Sequence, residues 1–163
     1  MTEIEIGRAK RARRAYAFDD VAVVPSRRTR DPKDVSVTWS IDAFTFQMPV
    51  IAAPMDSVVS PATAIAIGKL GGLGVLDLEG VWTRYDNPEP ILAEIRSLPA
   101  DQATARMQAI YSEPIKPALV AERLAEIRAA GVPVAGALSP QRTHELHKTV
   151  LDAGVDLFVI RGT

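Results

Sequence analysis

MPVIAAPMDSVVSPATAIAIGKLGGLG, residues 48–74, lays a buried strand, a helix and the start of a second strand end to end. Val50, Ile51, Ala52 and Ala53 make a continuous apolar segment, which suits a strand covered on both faces. Pro54 ends its ladder, and Met55, Asp56 and Ser57 follow at the strand's exit, where α/β enzymes keep their chemistry. Ser60 supplies an N-cap and Pro61 a first helical position. Ile65, Ile67 and Leu70 form the apolar face predicted for the helix, and Gly71 and Gly72 stop it.

The same grammar recurs downstream. Asn87 and Pro88 open a helix with Ile91, Leu92, Ile95 and Leu98 on one face, and Asp101 opens a second that runs to about Tyr111. After Pro114 and Pro117 a third helix extends to Ala130 with Leu119, Val120, Leu124 and Ile127 inward, and Gly131 leads into the strand VPVAGAL. Ser139 and Pro140 open a helix through Leu146, Val150 and Leu151, closed by Gly154 before the strand VDLFVI. Three helices thus pass through glycine directly into apolar strands, the β/α rhythm of a parallel sheet, which a closed barrel and an open doubly wound sheet produce alike. The first 47 residues lack helical periodicity over most of their length. Within them SVTWSID and the start of FTFQMPV, joined through Asp42 and Ala43, read as a hairpin capping one end of the sheet.

Composition excludes several classes. With 163 residues, 47% apolar and 24% charged, the chain is ordinary globular material of single-domain length. A net charge of -1 makes no field for nucleic acid or an anionic membrane, and no apolar run reaches bilayer-spanning length. Glu3 and Glu5 argue against a signal peptide, so a cytoplasmic location is expected. The absence of cysteine excludes a disulfide scaffold and a thiolate metal site. His144 and His147 share a helix face but have no evident third ligand, so no metal site is expected. The basic run Arg8, Lys10, Arg11, Arg13, Arg14, with Arg27, Arg28 and Arg30 later, has balancing acids and no interleaved stacking aromatics. It reads as a solvated arm or a subunit contact.

Three ordered stretches resemble the IMP dehydrogenase and GMP reductase family: YAFDDVAVVPSRRT at 16–29, IAAPMDSVVSP with AIAIGKLGGLGVL from Ile51, and AGVDLFVIRGT at 153–163. The resemblance implies an α/β chain forming the N-terminal half of a (β/α)8 TIM barrel with a short β-rich N-terminal arm: an arm and hairpin over 1–47, then about four β/α units over 48–163. A full barrel needs about 250 residues, so a fragment of a longer protein is expected. The interval from Leu76 to Val132 leaves no room for the pair of CBS modules that many members carry, so the CBS-lacking branch is implied, without its nucleotide regulation.

By the same resemblance the full-length relatives oxidise IMP to XMP with NAD in guanine nucleotide synthesis, as homo-oligomers, typically tetramers. The alternatives are a non-catalytic purine-nucleotide-binding paralogue and a GMP reductase using NADPH. Met55 is implied to pack against the purine ring, Ala53 to lie on the ribose phosphate side, and Asp56 to match the family's acid, or else to hold the turn as a hydrogen-bond acceptor. The nucleophilic cysteine loop, the glycine-rich phosphate loops and the monovalent cation site belong to the second half, so no catalytic residue is expected within 1–163. Arg161, Gly162 and Thr163 occupy the position of the family's dinucleotide contacts, where dehydrogenases usually carry an Asp. A guanidinium cannot accept hydrogen bonds from ribose hydroxyls, which leaves altered NAD binding, preference for NADP, loss of dehydrogenase competence, or simple neutralisation of a nearby acid. Asp77, Leu78 and Glu79 likewise replace the family's usual His and Asn.

Overall fold

The computed structural model describes residues 3–24 and 30–162. Two compact units result, Met1–Ser36 and Val37–Thr163. In the first, β1 (Glu3–Gly7) and β2 (Lys10–Arg13) pair antiparallel, with Glu5 opposite Arg11 and a left-handed Ala9 (φ 59°) in the turn. Arg14 lies over the Tyr16 ring at 5.2 Å. The alternation in EIEIG is a period-2 signal for this hairpin that the sequence reading passes over. Arg27 and Arg28 of the basic run, and the end of the 16–29 motif, lie outside the described residues.

The second unit opens with the hairpin β3 (Trp39–Ile41) and β4 (Phe44–Phe46), where Trp39 stacks on Phe46 with centroids 4.7 Å apart and donates from Nε1 to the Met48 carbonyl. A four-stranded parallel sheet follows: β5 (Ile51–Ala52), β6 (Leu73–Asp77), β7 (Ala135–Leu138) and β8 (Leu157–Ile160), hydrogen-bonded in chain order. Three crossover helices return the chain: α1 (Pro61–Lys69) between β5 and β6, α4 (Pro117–Ala129) before β7, and α5 (Pro140–Asp152) before β8. Two further helices, α2 (Glu89–Ser97) and α3 (Ala100–Ser112), fill the long β6–α4 connection. This is the first half of a (β/α)8 barrel.

Local chemistry fixes the starts of α1 and α5 as the sequence predicts, while α2 and α3 begin after Pro88 and Pro99 with no side-chain cap in place of the expected Asn87 and Asp101 openings. Ser60 and Thr63 form a reciprocal capping box at α1, and Ser139 Oγ accepts the Arg142 amide at α5. Gly71, Gly131 and Gly154 close their helices at φ between 73° and 86°, where a Cβ would be strained.

Strand alternation then sorts the side chains. Leu76, Leu78, Val134 and Leu138 meet Val120, Leu124, Ile127 and Val150 in the layer between sheet and helices, all fully buried. On the other face Leu73, Val75, Ala135 and Ala137 pack under Phe46, Trp39 and Phe44 of the hairpin, which thereby closes the N-terminal ends of the strands. Several residues expected to be covered are exposed: Val50 (46%) and Ile51 (54%), because β5 lies at the edge of the four-stranded sheet, and Leu70 (71%) and Leu151 (58%) on the helices. Leu70 is the C-cap of α1 and lies past its packed stripe. That stripe combines Ile65, packed on the core, with small residues: Ala64 is seated against Gly74 and Gly68 against Val132 so closely that a Cβ on either glycine would overlap its neighbour.

Leu124→Ala should therefore lower stability by about 2–5 kcal/mol, whereas Leu70→Ala should change it by less than about 0.5 kcal/mol, measured by urea denaturation.

Candidate functional site

Continuing the alternation past the apolar rows puts charge on the inner face of the barrel. Leu73, Val75 and Asp77 share one face of β6, and Leu157, Val159 and Arg161 share the corresponding face of β8 and its exit. The two charged groups meet at the C-terminal ends of the strands: Arg161 donates from Nη2 to Asp77 Oδ1 at 3.1 Å and from Nη1 to Asp77 Oδ2 at 3.3 Å. It also donates to the Pro54 carbonyl at 3.3 Å and lies 3.7 Å from Glu79 Oε1. Of the readings open for Arg161, neutralisation of a neighbouring acid is the one the geometry contains.

Asp77 is 8% exposed. Burial pushes its carboxyl up to about 6, and the Glu79 amide, donating at 2.9 Å, and the Arg161 guanidinium counter that rise only in part. Glu79 joins the network from the other side, accepting the Ser139 amide at the exit of β7. Four strand ends are thus tied through two carboxylates, one guanidinium and the Pro54 carbonyl.

Asp56, at the exit of β5, is the hydrogen-bond acceptor that holds its neighbourhood together. Its Oδ2 accepts the Val81 amide at 2.9 Å and the Tyr111 hydroxyl at 2.6 Å, from 25 and 55 residues further along the chain. Gly80 permits this approach, because a Cβ there would overlap Asp56 Oδ1. Burial and the bond to Asp56 raise the Tyr111 pKa, so the phenol remains a donor. Arg84, held by the carbonyls of Glu79 and Glu113, and Tyr85, bonded to the Ile110 carbonyl at 2.9 Å, fasten α3 to the loop after β6.

These anchors place α2 and α3 beside the strand exits and enclose a cavity of about 420 Å³. Pro54, Met55, Asp56 and Ser57 line it from the β5 exit and Asp77 and Arg161 from the inner face. Leu92, Ile95, Arg96, Met107 and Tyr111 come from the two helices. Of the residues singled out in the sequence, Met55, Asp56 and Arg161 come together here. Ala53 is exposed, and neither it nor Gly162 is on the lining. Thr163 lies outside the described residues. His147 Nδ1 sits 3.2 Å from the Thr143 and His144 carbonyls on α5, away from the cavity lining. Among the described residues no helix is long and apolar enough to cross a membrane. Tyr111, Arg96 and Met107 carry no motif, since only the fold of α2 and α3 brings them to the strand exits.

The family model for the IMP dehydrogenase / GMP reductase domain matches residues 15–162. The chain is 45% identical over 165 aligned positions to an uncharacterized oxidoreductase of Mycolicibacterium smegmatis, covering 98% of this chain and 44% of that protein. An inosine-5'-monophosphate dehydrogenase of Methanocaldococcus jannaschii is 42% identical over 65 residues, 40% of this chain and 13% of that one. The crystal structure of an IMP dehydrogenase/GMP reductase-like protein from Corynebacterium glutamicum superposes with a TM-score of 0.83 at 41% identity, over 99% of this chain and 44% of that one. The chain therefore spans less than half the length of these relatives.

Because the folded carboxyl of Asp77 titrates near 6 and an unfolded Asp near 3.8, the native state holds a proton between those values that the unfolded chain releases. Its contribution to stability falls as pH rises through that window and is flat above it. Asp77→Asn should remove this slope, changing the wild-type-minus-variant stability by on the order of 2 kcal/mol between pH 7 and pH 4 in favour of wild type in acid. Parallel urea-denaturation curves across the window would refute the assignment.

Proposed function

The chain belongs to the IMP dehydrogenase / GMP reductase family, and from that premise we propose that it supplies the first half of a barrel enzyme that oxidises IMP to XMP with NAD, a step in guanine nucleotide synthesis. The observation that carries this reading is the cavity at the strand exits, where the Met55–Ser57 turn faces the Asp77–Arg161 pair. In it the purine stacks on the polarisable Met55 side chain beside Asp56, with Ala53 toward the ribose phosphate. The dinucleotide lies toward Arg161, Gly162 and Thr163.

The donor set suits such ligands: apolar Leu92, Ile95 and Met107 for a ring, a phenol and guanidinium groups for polar substituents. When bound, NAD supplies a hydride acceptor for the purine C2. The chain's own residues bind and orient, and Asp77, its carboxyl pushed up to about 6 by burial, can hold or release a proton beside the ligand. The nucleophilic cysteine, the phosphate-binding glycine loops and the monovalent cation site are assigned by family resemblance to the barrel half outside residues 1–163. Assembly as a cytoplasmic homotetramer belongs to the same reading.

Arg161, standing where a dehydrogenase keeps a ribose-binding carboxylate, favours a second reading: a purine-nucleotide-binding paralogue without turnover, or a GMP reductase using NADPH. The intact protein should form NADH on addition of IMP. Tight IMP binding with no turnover on either dinucleotide would assign the paralogue, and NADPH consumption with GMP the reductase. Met55→Ala should raise KM for IMP about tenfold while leaving kcat within about threefold, as loss of one packing contact common to ground and transition states requires.

A further inference from the structure

Helices α2 and α3 form a hairpin that is fastened to the barrel only where it begins and ends. At its end, in the last turn of α3, Ile110 is buried and its carbonyl accepts the Tyr85 hydroxyl at 2.9 Å, while Tyr111 donates to Asp56 at 2.6 Å. The Glu113 carbonyl just beyond accepts from Arg84. At its beginning Asp86 is pinned, its carbonyl accepting Arg123 Nη2 at 3.0 Å and its carboxylate pairing with Lys116, and Pro88 is buried.

The stretch between, residues 89–107, is held differently. Among the described residues no hydrogen bond or ion pair joins it to the strands or to α1, α4 or α5. Helix α2 buries no residue fully, and Leu92, Ile95 and Met107 belong to neither apolar core. What binds the stretch is internal to it: Arg106 of α3 meets Glu94 of α2 as a fork, Nη2 donating to Oε2 at 2.9 Å and Nε to Oε1. Leu92, Ile95 and Met107 nevertheless line the cavity at the strand exits. They are an apolar surface turned toward space that the protein itself does not fill.

We infer that residues 89–107 are a hinged lid over that cavity, opening about Pro88 and the last turn of α3. A helical segment with few buried apolar contacts and no bond to its surroundings opens at little cost, and a covered site has to admit its ligand before it excludes water. The Glu94–Arg106 fork makes the two helices one body, so Leu92, Ile95 and Met107 leave and return together. A bound ring supplies the apolar contacts that the closed lid lacks, and so shifts the population toward closure. The inference rests on reading the cavity as the nucleotide site.

Hydrogen–deuterium exchange of the intact protein, alone and with IMP, NAD or both, tests it. Without ligand the amides of 89–107 should exchange together and at least about tenfold faster than those of α4. With ligand they should slow at least about threefold while α5 is unchanged. Glu94→Gln, a residue off the cavity lining, should speed exchange in 89–97 and raise the ligand dissociation rate about twofold to fivefold at an unchanged thermal midpoint, the scale of an exposed ion pair. Glu94→Arg combined with Arg106→Glu should restore both, which neither single change does. Exchange in 89–107 as slow as in α4 would overturn the lid. So would ligand binding that leaves this exchange unaltered, with the nucleotide site still standing. Identical exchange and dissociation in wild type and Glu94→Gln would overturn the role of the fork. If neither IMP nor NAD binds, the nucleotide reading falls, and the ligand-free exchange alone decides: common fast opening of 89–107 upholds the hinge, and exchange at the level of α4 overturns it.

Discussion

The ion pair between Asp77 and Arg161 is the interaction on which the strand exits depend. Period-2 alternation gives β6 and β8 no choice about where these side chains go: apolar partners at 73, 75, 157 and 159 fill the inner face, so the next inner positions enter the barrel too. A carboxylate placed there alone would be strongly disfavoured, and a guanidinium cannot shed its charge. Each is tolerable because the other is present, and the pair spans from β6 to β8 past the intervening β7. Replacing one partner leaves a buried charge uncompensated, so neither residue can be considered by itself.

That coupling explains the limit of the sequence reading at this point. Arg161 for an expected Asp, and Asp77 for an expected His or Asn, read as two separate departures. In the fold they form one unit, an acid at the end of β6 paired with a guanidinium at the exit of β8. Eighty-four residues separate them, and no local pattern encodes their meeting. The helix caps were legible because they are local: Ser60 with Pro61, Ser139 with Pro140, and the closing glycines each act within four residues. The buried stripe of α4 was legible for the same reason, since Leu119, Val120, Leu124 and Ile127 obey a single period. Periodicity found only part of the contact on α1: Ile65 packs on the core and Ile67 is half-buried, but Leu70 is exposed and the closest approach runs through Ala64, Gly68 and Gly74. Close backbone approach needs small residues, and a hydropathy pattern does not register them.

Asp56, at the exit of β5, acts structurally. Its carboxylate receives an amide from the loop after β6 and a phenol from α3, so it holds together three segments remote in the chain. The turn carrying Met55 is thereby fixed relative to the helix pair that forms the opposite wall. A ligand contact at Asp56 would have to be made through an oxygen already bonded or through Oδ1, which is buried against Gly80. The carboxylate therefore shapes the site more directly than it can touch what enters it.

The helix pair gives the same conclusion from the other direction. A β/α unit needs one return helix, and between β6 and β7 that helix is α4, which packs on the sheet through Leu124 and Ile127. Helices α2 and α3 are superfluous to the barrel: α2 buries no residue fully and α3 only Ile110. What they do is present Leu92, Ile95, Arg96, Met107 and Tyr111 to the strand exits. Segments that add little core yet are fastened by Tyr85, Arg84 and Asp56 have their positions defined by the cavity wall they form. That wall, as much as the strand ends, is where the chain departs from what a bare barrel requires.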